Sequence, residues 1–80
     1  MIPSRDWRDV LAALKVLGCT VVNQSERHIQ ICRGAVKMVS LPKAPLSGAM
    51  QGRILGVLEF SDSEYLLAVS QALEAQKQPA

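Results

Sequence analysis

The chain has 80 residues, of which 49% are hydrophobic and 4% aromatic, and its formal net charge is +2. A chain of this length forms one small domain, so we expect a single unit over residues 1–80 with an aliphatic core. No apolar run approaches the roughly 20 residues of a membrane span. The start of the chain lacks the basic and apolar regions of a signal peptide, so we expect a cytoplasmic protein without membrane contact.

The positive charge is concentrated in the first part of the chain. Residues 1–58 contain eight Lys or Arg and three Asp or Glu, a net charge of +5. Residues 59–80 contain one Lys and four acidic residues, a net charge of −3. A basic body with an acidic tail suits a polyanion on one surface and a different contact at the C-terminus. The alternative is a set of ordinary solvated charges.

The first predicted element is an amphipathic helix. Apolar side chains recur with the spacing of one helical face at Trp7, Val10, Leu11, Leu14 and Leu17. Ser4 precedes this stretch as a candidate N-cap, and Gly18 follows it where a left-handed residue commonly ends a helix.

Three short strands are predicted next, over residues 19–22, 28–33 and 36–41, from their β-branched and alternating apolar residues. In the second strand Ile29 and Ile31 share one face, which leaves His28 on the other. Gly34 marks the turn into the third strand, and Pro42 ends that strand because proline cannot donate to a ladder. The pattern indicates an antiparallel meander.

The two cysteines, Cys19 and Cys32, are too few to hold a structural zinc ion with only one histidine to join them. If the first two strands pair, one register would place the cysteines opposite each other. In the cytoplasm they would stay reduced. We therefore expect them to be small residues that fill the core or the sheet.

Two helices are predicted after the sheet, and Ser47 is a candidate N-cap for the first of them. Its inward-facing residues are expected to be Met50, Ile54, Val57 and Leu58. A smooth strip along the same helix is formed by Gly48, Gly52 and Gly56. We expect this strip to allow close packing inside the fold; contact with a phosphate backbone is the alternative.

Ser61 and Glu64 match a capping box, which predicts a last helix over residues 61–75, with Phe60 and Tyr65 as a hydrophobic staple. One side of that helix is expected to carry Tyr65, Leu66, Val69 and Leu73. The order of elements is then α-β-β-β-α-α. This order predicts an α+β fold with helices on one face of a three-stranded antiparallel sheet.

Four segments carry a family resemblance: LAALKVLG at 11–18, HIQI at 28–31, VSLPK at 39–43, and LSGAM at 46–50 with Ile54-Leu55 after it. In this order they resemble the HicA family of mRNA interferases, the toxins of type II toxin–antitoxin systems. The match covers about residues 6–60. The resemblance implies a double-stranded-RNA-binding-domain-like α-β-β-β-α fold, here over a core of about residues 4–60, to which the last helix is added.

The resemblance also implies a function. It identifies His28 with the catalytic histidine of the family, and it implies mRNA as substrate and a HicB-like antitoxin as protein partner. The sequence departs from the family pattern at three places. Glu26 and Arg27 replace a Gly-Ser pair before the histidine, Ala44 replaces a second histidine, and Cys19 replaces an aromatic residue.

The residue types suit metal-independent RNA cleavage. A histidine can exchange a proton near neutral pH, which serves to take a proton from a 2′-hydroxyl or to give one to the 5′-oxygen. The cations expected to contact RNA phosphates are Arg27, Arg33, Lys37, Lys43 and Arg53. No metal and no other cofactor is implied. The alternative for His28 is an ordinary solvated surface histidine.

Two other functions fit the same sequence. One is a non-catalytic RNA-binding module of the same fold, which would hold RNA by shape and backbone contacts. The other is a small protein–protein adaptor whose acidic last helix docks a partner. That helix could also join copies of the chain in a homo-oligomer.

Overall fold

The structure is a computed structural model that describes residues 2–77; residue 1 and residues 78–80 of the predicted domain lie outside the described part. Its elements are α1 (Trp7–Val16), β1 (Thr20–Gln24), β2 (His28–Arg33), β3 (Lys37–Pro42), α2 (Gly48–Leu58) and α3 (Asp62–Lys77). The strands form one antiparallel sheet in the order β1-β2-β3. The predicted α+β fold and its order of elements are confirmed.

The register of the sheet sends the aliphatic residues to one side. Ile29 pairs with Leu41, and Ile31 pairs with Val39. Three of these side chains are buried and Val39 is half-buried, and all of them belong to the core or pack against it. The opposite side, which we call the open face, carries alternate residues of the same strands. His28 therefore lies on the open face, as its position in the alternation predicted.

The two cysteines do not face each other. Cys32 pairs with Thr20, so the hairpin is one residue away from the register that would join the cysteines. Cys19 is buried in the core, whereas Cys32 alternates with Ile31 and lies on the open face; both are free thiols. Burial raises the pKa of the Cys19 thiol, although the nearby Arg33 opposes this shift. A buried protonated thiol behaves as a small apolar side chain.

α1 begins and ends through different local interactions. Its N-cap is Asp6, whose side chain makes no capping hydrogen bond, so the predicted cap at Ser4 is wrong. At the other end Gly18 has a φ of 92° and Leu17 is the C-cap. The N–H of Gly18 donates to the carbonyl of Lys15 at 3.0 Å, and that of the next residue donates to the carbonyl of Leu14 at 3.0 Å. This double closure is a Schellman motif, which favours glycine at the left-handed position.

The helices cover one face of the sheet, and all three helices and all three strands contribute to or pack against one core. The buried cluster consists of Val10, Ala13, Leu14, Cys19, Ile29, Ile31, Leu41, Leu46, Ile54, Leu55, Leu58, Phe60, Tyr65, Ala68 and Val69. Three members of this cluster come from α3, so the last helix is an integral part of the domain.

α2 is capped as predicted but buries a different face. The N–H of Met50 donates to the Ser47 hydroxyl at 3.2 Å, which confirms Ser47 as the N-cap. Met50 and Val57, however, are 41% and 46% exposed, so their predicted inward position is wrong. The residues that face inward are Gln51, Ile54, Leu55 and Leu58. The helix turns a glutamine into the core.

Gln51 can be buried because every polar atom of its amide finds a partner. Its Oε1 accepts from the Tyr65 hydroxyl at 2.7 Å and from Arg5 Nη1 at 3.1 Å. Its Nε2 donates to the carbonyl oxygens of Pro3 at 2.8 Å and Leu46 at 3.1 Å. The amide thus joins α3 and the segments that flank α1 and α2, and a buried polar group with such partners is not penalised.

The glycine strip of α2 does not pack as expected. A Cβ atom at Gly48 would overlap the main-chain carbonyl oxygen of Ile2, so close packing is confirmed at that position. At Gly52 and Gly56 a Cβ would meet no atom of the described residues within 4 Å. The predicted close packing is therefore wrong at these two positions.

α3 begins at the predicted capping box. The N–H of Glu64 donates to the Ser61 hydroxyl, and the N–H of Ser61 donates to the Glu64 carboxylate, both at 3.1 Å. The two residues of the predicted staple are both buried. The buried side of the helix carries Tyr65, Ala68, Val69 and Ala72. Leu66 and Leu73 are each 39% exposed, so the predicted apolar side is correct for only two of its four residues.

The capping box should make a measurable contribution to the stability of the protein. Replacing Ser61 by alanine should lower the free energy of unfolding by about 1 kcal/mol, because an N–H of the first turn loses its acceptor. The matched control is Ser63→Ala, which changes an exposed serine two residues further along. We expect the free energy of unfolding of the control, measured in urea, to stay within about 0.5 kcal/mol of the wild type.

The hydrogen bonds from the Ser61 main chain and hydroxyl lower the pKa of Glu64 from its ordinary value of 4.5. A lowered pKa means that its stabilisation is fully present above about pH 4.5 and is lost as the pH falls through the pKa of the folded protein. A glutamine at this position still accepts the hydrogen bond but cannot titrate. The difference in stability between Glu64→Gln and wild type should therefore shrink from pH 7 to pH 3; a constant difference would contradict the prediction.

Candidate functional site

A shallow depression on the open face surrounds His28, and we call it the His28 depression. Its volume is about 270 Å³, and it is lined by Asn23, Gln24, Ser25, His28, Gln30 and Ser40. Three of these residues lie side by side across the sheet, since Gln30 pairs with both Asn23 and Ser40. The lining therefore offers amide and hydroxyl groups beside one imidazole.

The hairpin between β1 and β2 fixes the main chain at His28. The N–H of Ser25 donates to the carbonyl of His28 at 2.8 Å, and the N–H of His28 donates to the Ser25 hydroxyl at 3.2 Å. Glu26 and Arg27 form the tip of this tight turn. Because Ser25 bonds only main-chain atoms of His28, the exposed imidazole stays free to contact a ligand.

Arg27 and Lys43 lie at the same end of the sheet as His28. Pro42 is the cross-strand partner of His28, and the N–H of the next residue, Lys43, donates to the carbonyl of Arg27 at 2.8 Å. The structure thus brings together three of the site residues that the sequence suggested. The side chain of Lys43 lies over the Trp7 ring, with Nζ 5.8 Å from the ring centroid. Trp7 belongs to α1, so this side chain turns toward the helices.

Arg33 is at the other end of β2, about 17 Å from His28 at the usual rise of an antiparallel strand. Its Nη1 donates to the carbonyls of Leu58 at 2.7 Å and Glu59 at 3.0 Å, the last carbonyls of α2. Its guanidinium carbon is 4.0 Å from the centroid of the Phe60 ring. These contacts close the C-terminus of a helix. Arg33 therefore stabilises the fold and is separated from the His28 depression.

Lys37 and Arg53 are also away from the depression. Lys37 pairs with Arg33 across the sheet and forms an ion pair with Glu59. Arg53 is exposed on α2. The predicted set of RNA-binding cations is thus divided: two lie at the His28 end, two serve the opposite end of the sheet, and one lies on a helix.

Sequence reasoning missed the polar lining of the depression. A signal was present for two residues, because Gln30 alternates with Ile29 and Ile31, and Ser40 alternates with Val39 and Leu41. For the residues of β1 there was no such signal. The register shifts between Val21 and Asn23, a bulge that decides which side chains of this strand lie beside His28.

The described part of the chain contains neither a metal-binding cluster nor a membrane-spanning helix. Within residues 2–77, no three side chains of His, Cys, Asp and Glu lie close enough together to hold a metal ion. In the same part of the chain, no helix combines the length and the apolar character needed to cross a bilayer.

Comparison of the chain with protein-family models, with curated proteins and with solved structures finds no match. The resemblance to the HicA family therefore depends on the four sequence segments themselves. The fold and the His28 depression are the physical basis on which a function can be proposed.

Proposed function

We propose that this protein is the toxin of a toxin–antitoxin pair and that it binds and cleaves mRNA in the cytoplasm by acid–base catalysis at His28. The observation that carries the proposal is the exposed imidazole of His28 in a polar depression, with Arg27 and Lys43 at the same end of the sheet. The four HicA-like segments support the same function, and they imply a HicB-like antitoxin as the partner.

The chemistry is a transphosphorylation that needs no metal. The 2′-oxygen of a ribose attacks the adjacent phosphorus, so that a P–O2′ bond forms and the P–O5′ bond breaks. The products are a 2′,3′-cyclic phosphate and a 5′-hydroxyl. One proton leaves the 2′-hydroxyl and one is delivered to the 5′-oxygen. His28 transfers one of them and water the other, while a nearby cation stabilises the charge on the phosphate.

The test is cleavage of a labelled single-stranded RNA by the purified protein in the presence of EDTA. We expect cleavage with a 2′,3′-cyclic phosphate on the upstream product. The control substrate is the same oligonucleotide with deoxyribose in place of ribose, which lacks the attacking 2′-oxygen and should stay intact. RNA that remains intact after long incubation with excess protein would contradict the proposal.

One observation favours a second candidate, a non-catalytic RNA-binding module. Of the six residues that line the depression, His28 alone carries an acid–base side chain; the others are amides and hydroxyls. A site with one acid–base group still binds RNA through backbone and 2′-hydroxyl contacts. Tight, salt-dependent binding of RNA without cleavage would favour this module.

The adaptor function has less support. It requires an apolar side of α3 to be free for a partner, but Tyr65 and Val69 are 0% and 5% exposed within this chain. What α3 leaves outside is a row of half-exposed leucines, Leu66, Leu67 and Leu73. Homo-oligomerisation through α3 would have to use these residues, and it remains a proposal.

A further inference from the structure

Trp7 is contacted by two cations that come from different parts of the chain. Trp7 is the single tryptophan of the sequence and the first residue of α1. The guanidinium carbon of Arg8 lies 5.4 Å from its ring centroid, and Lys43 Nζ lies 5.8 Å from it. The face of an indole ring attracts cations through its quadrupole. The Trp7 ring therefore contacts two positively charged side chains close to the end of β3.

In the described part of the chain, neither of these two cations forms an ion pair with a carboxylate. The one ion pair found there joins Lys37 to Glu59 at the opposite end of the sheet. Asp6 and Asp9 are close in sequence, but neither forms an ion pair with Arg8 or Lys43. Two cations that contact one ring and form no ion pair within residues 2–77 attract an anion more strongly than either would alone.

Other cations of the domain are already engaged. Arg5 donates to the buried amide of Gln51, and Arg33 donates to the last carbonyls of α2. Lys37 has its carboxylate partner. The pair on Trp7 is different, because its contacts are to an aromatic ring and leave the charge available.

The location of the cluster connects it to His28. Lys43 directly follows Pro42, the cross-strand partner of His28, and its N–H is bonded to the carbonyl of Arg27. His28 lies on the open face, whereas Lys43 turns toward α1. A strand of nucleic acid that leaves the depression around this end of the sheet would meet Arg27 first and then the pair of cations on Trp7.

We propose that Trp7, Arg8 and Lys43 form a second binding site, which takes the phosphodiester backbone of single-stranded RNA next to the segment held at His28. Arg8 and Lys43 bind phosphate oxygens, and Trp7 is a positioning residue whose ring both cations contact. The identity of the ligand rests on the proposed function, since RNA is the substrate proposed there. The site itself requires binding and no catalysis.

The experiment uses Trp7 as its own probe in a His28→Ala background, which separates binding from cleavage. A short single-stranded oligoribonucleotide is titrated into the protein at several salt concentrations, and tryptophan emission is recorded. We expect RNA to change this emission. Arg8→Ala and Lys43→Ala should each weaken binding several-fold and reduce the slope of log K against log salt by about 0.7, the value for one contact to a single strand.

The matched control is Lys15→Ala, which removes an exposed lysine from the last turn of the same helix. Its affinity and salt slope should equal those of the parent protein. Thermal unfolding followed by circular dichroism verifies that each variant is folded, and the side chains of Arg8 and Lys15 are exposed enough to be removed without loss of packing.

Three results would overturn the site. One is unchanged affinity and slope in the Arg8→Ala/Lys43→Ala double variant. Another is an equal loss in Lys15→Ala, which would show that only net charge matters. The third is that a poly-glutamate peptide binds as tightly as RNA, which would assign the cluster to an acidic protein segment. The double variant could bind RNA more weakly while the wild type cleaves no RNA. That result would support this site and contradict only the catalytic proposal.

Discussion

Replacing His28 by alanine is expected to lower the rate of RNA cleavage by about 10²–10⁴-fold, the usual contribution of a positioned proton-transfer group. The rate should be measured under single-turnover conditions with excess protein, so that weak binding does not obscure the chemical step. His28 lines the depression, and its main chain, which the substitution leaves in place, makes the hydrogen bonds of the hairpin. The loss should therefore appear in the rate while the fold is kept.

Two controls make this result specific. Gln30→Ala removes another side chain from the same depression, two residues along the same strand, and should reduce the rate by less than tenfold. The free energy of unfolding of His28→Ala should stay within about 0.5 kcal/mol of the wild type, because the side chain is exposed. Equal cleavage rates for His28→Ala and wild type would remove His28 from the mechanism.

Replacing Gln51 by leucine should lower the free energy of unfolding by about 2–4 kcal/mol. Leucine has a similar size, so the volume of the core is kept. However, the Tyr65 hydroxyl loses its acceptor and Arg5 Nη1 loses the amide oxygen to which it donates, and each buried group left without its partner costs about 1–3 kcal/mol. A domain of this size has a total stability of only about 4–12 kcal/mol, so the loss should be evident in urea unfolding.

A double-mutant cycle distinguishes this mechanism from a simple packing defect. Tyr65→Phe alone should cost about 1 kcal/mol, because it removes the hydroxyl that donates to Gln51 at 2.7 Å. In the Gln51→Leu background the same substitution should instead restore about 1–3 kcal/mol, since it removes the hydroxyl that was left buried without a partner. Gln71→Leu, an exposed glutamine on α3, is the matched control and should stay within about 0.5 kcal/mol of wild type. Additive losses would show that the two side chains act independently.

Features that depend only on residues close in sequence were predictable from the sequence. Gly18, Ser47 and the Ser61–Glu64 capping box all act within one helical turn, and the structure confirms each of them. The alternation of β2 likewise assigned His28 to the face opposite Ile29, and the sheet register agrees. These signals are local because the hydrogen bonds and the backbone geometry involved span only a few residues.

The face that each late helix buries was not predictable in the same way. Hydrophobicity favoured Met50 and Val57 as the inward residues of α2, but burial of Gln51 rotates the helix away from them. That burial depends on Tyr65, Arg5 and main-chain carbonyls that are distant in sequence. The sequence of one helix does not indicate which hydrogen-bond partners the folded chain will bring next to it.

The same distinction applies to the candidate site. The sequence by itself determined the α+β order, the position of His28 on a strand and its exposure, because the periodicity of a strand requires no tertiary contact. Only the tertiary structure decided which cations accompany it. Arg33 is held by the end of α2 and Lys37 by Glu59, whereas Lys43 contacts the Trp7 ring, as Arg8 does. The physical reason is that these long basic side chains contact a carbonyl, a carboxylate or an aromatic ring that lies within their reach. The tertiary structure alone determines which of these groups lies near each cation.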